Sequence, residues 1–150
     1  MTTLLENFGA YLPTALPPTT YGVKGLVLGA NLFLGRTPAE APDACVVVQQ
    51  YEGGNPDFTM GSGISALEHP RIQITVRGIR EDYPGAYGWS QLIRNTLAGL
   101  VLPSASFPNV IRIEPLGTPN PLGYDQVERP RFSMNFQITM NAQSNGTPQP

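Results

Sequence analysis

The sequence predicts an α+β fold: a mostly antiparallel sheet of four to five strands, a long amphipathic helix packed on one face, and a short N-terminal helix. Three stretches carry that prediction. Residues 71–77 place Ile72, Ile74 and Val76 on one side and Arg71, Gln73, Thr75 and Arg77 on the other, the period of a strand with one covered face. Residues 131–140 alternate over their whole length, with Phe132, Met134, Phe136, Ile138 and Met140 set against Arg131, Ser133, Asn135, Gln137 and Thr139. Between them Trp89, Leu92, Ile93, Thr96, Leu97 and Leu100 recur at helical spacing, and that apolar stripe has to lie on the sheet.

The remaining elements follow from the chain's punctuation. Residues 3–12 put Leu4, Leu5, Phe8, Tyr11 and Leu12 on one helical stripe behind Thr3, a residue suited to capping; Pro13 and the Pro17-Pro18 pair then end the pattern. Leu32-Phe33-Leu34-Gly35 reads as a short strand. The β-branched run Val46-Val47-Val48 within residues 45–51 fits a strand covered on both sides. Gly53-Gly54-Asn55-Pro56 closes that strand, and residues 55–70 read as a loop without periodicity, long enough to be mobile or occupied by a partner. After residues 71–77 the chain turns through Asp82-Tyr83-Pro84-Gly85 into the long helix. Residues 110–114 can form another short strand before a loop at 115–130 rich in turn residues. Residues 141–150 are polar and turn-rich with nothing to bury, which predicts a tail that stays disordered or orders on a partner.

Composition narrows the function classes. At 150 residues the chain suits one domain able to bury about two-thirds of its unfolded surface, so it needs no metal or disulfide to fold. Charged residues make up 13% and the net charge is -2, which removes the basic footprint that duplex binding requires. The single cysteine excludes an intrachain disulfide. No cationic, apolar leader and no run of about 18 apolar residues is present, so the expectation is a protein kept in a cytoplasm with no membrane span. The Asn145-Gly146-Thr147 sequon is then read as chance.

A search for reaction chemistry finds little. Cys45 sits in an apolar run, where a buried, inert thiol outweighs a nucleophile. His69 is the sole histidine and has no second ligand at metal spacing, so neither a metal site nor a triad follows from it. Residues 61–66, Gly-Ser-Gly-Ile-Ser-Ala, match a dinucleotide-binding string but lack the strand before and the helix after that cradle a phosphate. Glu81-Asp82 suits a turn and a helix dipole better than paired-carboxylate chemistry. Ser62, Ser65 and Ser90 have no activating base. Arg77, Arg80 and Arg94 flank the strand–helix joint, where arginine suits contacts between subunits; a solvated surface is the plain alternative. The reading is therefore of a non-enzyme without cofactors.

The order of certain residues resembles a known family. Leu32-Phe33-Leu34-Gly35 with Pro38 and Pro42-Asp43 comes first, then Val46-Val47-Val48 with Tyr51-Glu52-Gly53-Gly54. Pro70-Arg71-Ile72-Gln73-Ile74 runs on through Val76-Arg77-Gly78, followed by Asp82-Tyr83 and a helix ending Leu97-Ala98-Gly99-Leu100. Over residues 30–140 this is similar to the small tail terminator or minor capsid proteins of long-tailed bacteriophages. The resemblance implies a structural virion protein made in the host cytoplasm, a homo-oligomer closing into a hexameric ring at the head–tail junction. Its implied partners are the tail tube protein and a head completion or stopper protein, with genomic DNA passing through the bore unread. Together with the composition of the C-terminus, it gives an expected organisation of one α+β domain like that of the family over residues 1–140 and a polar tail over 141–150. Another neck role, as a head completion, stopper or minor capsid protein, is the nearest alternative; a small enzyme with residues 55–68 as a lid is a more distant one. The expected contact residues are Gln73, Thr75, Arg77, Arg80 and Arg94, with Asp57 and Phe58 in the 55–68 loop and Tyr124 and Asp125 in the 115–130 loop.

Overall fold

The computed structural model describes residues 3–16, 25–58, 65–102 and 104–141, with backbone alone at 52, 54–58 and 65–66. Along the chain run α1 (Leu4–Ala15), β1 (Leu32–Leu34), β2 (Cys45–Phe58), β3 (Ser65–Arg77), α2 (Tyr83–Ala98), β4 (Val110–Pro115), β5 (Asn120–Tyr124) and β6 (Pro130–Asn141). The class is α+β, as the periodicities require.

The sheet is larger than expected and is mixed. It has six strands in the order β1-β2-β3-β6-β4, with β5 also paired to β6. Every pairing is antiparallel except β1 with β2, which is parallel. The strand missed by the sequence is β5, which carries Pro121 and Gly123 and is exposed at all its positions, so no apolar alternation marks it.

A second correction concerns residues 55–70. Instead of a loop, β2 continues to Phe58 and β3 begins at Ser65, making one long hairpin with register shifts between Tyr51 and Gly54, Gly54 and Asp57, and Asp57 and Phe58. Those bulges erase the two-residue period by which a strand is recognised. Gly53 does not end the strand; it permits a close approach, because a Cβ there would lie 2.6 Å from the His69 carbonyl oxygen. Residues 59–64, the centre of the expected loop, and the expected tail beyond Asn141 lie outside the described residues.

Both helices add to one core on one face of the sheet. Val46, Ile74, Val76, Met134 and Phe136 project from the sheet into the cluster, which also holds Phe8 and Leu12 of α1 and Trp89, Ile93 and Leu97 of α2. Trp89, Ile93 and Leu97 are 1% exposed or less, and burial of each such side chain stabilises by about 1.5–3 kcal/mol. α2 lies against β3, β4 and β6, and α1 against β1 and β2.

Local chemistry sets the helix ends. The Thr3 hydroxyl oxygen accepts from the Glu6 N–H at 3.2 Å, capping α1 as expected. Pro13 does not stop α1 but falls in its last turn, which runs to Ala15; so close to the helix end the proline removes a single intrahelical bond, the one to the Gly9 carbonyl. The Asp82 carboxylate accepts the Gly85 N–H at 3.1 Å and caps α2 just ahead of Pro84.

Candidate interaction face

The face of the sheet turned away from the helices is polar, and the register arranges it in rows. Gln49, Gln73 and Asn135 form one row across β2, β3 and β6. Val47, Thr75 and Ser133 form the next, and Cys45, Arg77 and Arg131 the third. Gln49 Nε2 donates to Gln73 Oε1 at 3.3 Å, and Gln73 Nε2 donates to Asn135 Oδ1 at 3.4 Å. The result is an uncharged amide ladder spanning three strands, a cross-strand device that fixes side-chain orientation without ionic charge.

The third row is edged by a latch between two turns. Arg77 donates from Nε to the Asp43 carbonyl at 2.9 Å and from Nη2 to the Pro42 carbonyl at 2.8 Å, holding the turn that precedes β2. Asp125 accepts the Val127 and Arg129 N–H groups at 3.0 Å each and Arg129 Nε at 2.7 Å. Arg129 Nη1 reaches on to Asp43 Oδ1 at 3.0 Å. Burial pushes the Asp125 carboxyl up, but the hydrogen bonds from Arg129 and Val127 outweigh it and hold the group below its ordinary value of 3.8. Burial likewise pushes the Arg129 guanidinium down, and its two carboxylate partners carry it above its usual value.

A concavity of about 220 Å³ opens beside this latch, lined by Cys45, Val47, Thr75, Arg77, Asp125 and Arg131. Its thiol is unsuited to nucleophilic attack: Cys45 is 2% exposed, and burial pushes its ionisation up from 9.0, against the pull of Arg77. Ser90, weighed above as a nucleophile, is fully buried and donates to the Ala86 carbonyl of its own helix at 2.9 Å. Among the described residues no group of three or more His, Cys, Asp and Glu is placed to hold a metal ion, and no helix is long and apolar enough to cross a membrane.

The structure gathers Gln73, Thr75, Arg77 and Asp125 into this one region and leaves other expected contact residues elsewhere. Arg80 is exposed in the turn between β3 and α2. Arg94 projects from α2, on the helical side of the sheet, where Nε donates to the Gly117 carbonyl at 2.9 Å and ties the helix to the turn before β5. Tyr124 is 49% exposed at the end of β5. Asp57 and Phe58 belong to the outer part of β2, and their side chains lie outside those described.

Sequence reasoning missed Gln49, Asn135, Arg131, Asp43 and Arg129. Asn135 and Arg131 were on the polar stripe of residues 131–140, so the signal for them existed. The preceding valine run hides Gln49, and the Asp125–Arg129 pair lies in a turn-rich stretch whose composition does not show which residues meet.

A family model described as bacteriophage tail terminator protein matches residues 20–142. No curated protein matches the chain.

Proposed function

The chain belongs to the bacteriophage tail terminator family, whose members are structural proteins, and from that premise we propose that six copies close into a ring on the end of the tail tube and join the tail to the head. The genome passes through the bore. The observation that carries the reading is the family match itself, over residues 20–142; the geometry of the sheet supports it. One face is spent on the helices, and the other is an ordered polar surface on which, among the described residues, no helix packs.

The mechanism in this reading is complementarity of surfaces. Each copy is a wedge made rigid by its core, and identical wedges meet heterologously, so that the rotation between neighbours closes the ring. Gln73, Thr75 and Arg77 present the sheet face to a neighbour, with Tyr124 and Asp125 at its margin and Arg80 beside it. Arg94 acts indirectly, by holding the turn at 116–118. The β2–β3 hairpin, with Asp57 and Phe58 in its outer part, extends from the sheet toward the tail tube or a head completion protein. A net charge of -2 suits a bore that must not grip DNA, because counterion release needs cations aligned on phosphates.

The test is the mass of the purified protein in solution combined with its position in intact particles. The expected result is a ring at the head–tail junction, and deletion of the gene should leave filled heads unjoined to tails of irregular length. A protein that stays monomeric and is absent from virions would overturn the reading.

A further inference from the structure

The concavity on the polar face holds two guanidinium groups that pair with no carboxylate among the described residues. Arg77 and Arg131 are directly opposed across β3 and β6, and like charges in that position repel. Arg77 spends two donors on backbone carbonyls. Arg131 reaches the Leu122 carbonyl from Nη2 at 3.4 Å, while its Nε is enclosed with no acceptor. The carboxylate that lines the concavity, Asp125, is occupied by Arg129 and two backbone N–H groups. An enclosed, unpaired N–H leaves the Arg131 guanidinium poorly satisfied, and an incoming carboxylate supplies the counter-charge that the opposed arginines lack.

The same end of the molecule carries the opposite arrangement. Glu81 and Glu128 sit on the adjoining turns before α2 and β6, with the Glu81 N–H donating to the Glu128 carbonyl at 2.9 Å. Both are exposed, and both hold the left-handed backbone, at φ 62 and φ 68, where glycine or asparagine would be easier. Neither side chain is in an ion pair among the described residues. With Arg80 and Asp82 beside them the tip stays net negative.

We propose that the Glu81–Glu128 tip of one copy docks on the Arg77–Arg131 concavity of the next, its carboxylates pairing with the two guanidinium groups that line it. The proposal rests on the ring reading and names its contact. Rotation about a ring axis leaves height unchanged, so the two halves of a heterologous contact sit at one level of the subunit. Tip and concavity satisfy this with the strands running along the axis: Arg77 ends β3 and Arg131 begins β6, and the glutamates lie on the turns just beyond them. A carboxylate fits better than a DNA backbone, because two cations recessed in about 220 Å³ do not track evenly spaced phosphates.

Two variants test the contact in the full chain: Glu81→Lys with Glu128→Lys, and separately Arg131→Glu, each checked for folding by circular dichroism. Each alone should need about tenfold more protein or greater to assemble, read by sedimentation, because like charges then meet at every contact. Mixed in equal amounts they should recover the ring mass, since a heterologous ring can alternate the two. Arg131 is half-buried; if its variant does not fold, the exposed glutamate pair and the milder Arg131→Gln carry the test. Unchanged ring mass in the variants, or loss of the ring without recovery on mixing, overturns the contact. So does an Arg131→Glu protein that assembles normally but loses salt-sensitive retention on duplex DNA. Wild-type protein that is monomeric at every concentration sinks the ring reading itself, a distinguishable failure.

Discussion

Asp125 is the side chain on which the edge of the polar face turns. Its ionised form is preferred in the folded chain because Arg129 and two backbone N–H groups point at it, so its carboxyl lies below the 3.8 it has when unfolded. The unfolded chain therefore takes up this proton first as pH falls. Stability from the latch is complete above about pH 3.8 and is lost as the pH drops through the lower folded value. Asp125→Asn should lower the urea midpoint at pH 7 and flatten its fall as the pH drops below 3.8, relative to the native chain. An acid limb equally steep in the variant would show that other carboxylates carry it. Residues of this kind were only partly legible. Asp125 was picked out as a loop residue with partner contacts, whereas its partner Arg129 is visible only once the turn brings a residue four positions on back over it.

At the scale of elements, the joint between β3 and α2 depends on Gly78. A Cβ there would stand 2.7 Å from the Ala86 Cβ and 3.2 Å from the Pro130 ring, so strand, helix and the start of β6 meet at backbone distance. Gly78→Ala should therefore destabilise by about 1–3 kcal/mol through overpacking, and Trp89→Ala, which empties the centre of the helix interface, by about 3–5 kcal/mol. Chemical denaturation of both variants checks the order; a neutral Gly78→Ala would mean the joint can open without loss. The elements that bury a single apolar stripe were legible, since nothing in residues 71–77 of β3, in α2 or in β6 interrupts the period that burial imposes. Where local geometry interrupts it, reading failed: at the bulges of β2, at the exposed Pro121-Leu122-Gly123 of β5, and at Pro13, which a helix tolerates in its final turn.

For the whole molecule, the face away from the helices was legible as polar but not as organised. The amide ladder and the opposed arginines are properties of register, and a sequence states the composition of each strand without stating which residues face one another. The docking between copies inferred from that register has a thermodynamic signature. Association that involves only folded chains draws the folding equilibrium toward the native state by mass action, so the thermal midpoint should rise with protein concentration. With both glutamates changed to lysine, the tip repels the arginine pair, and the midpoint should become nearly independent of concentration while matching the native chain at high dilution. Scanning calorimetry over a hundredfold concentration range separates these behaviours. A native midpoint that does not move with concentration means that folded copies do not associate, and it counts against the ring reading as well as against the contact.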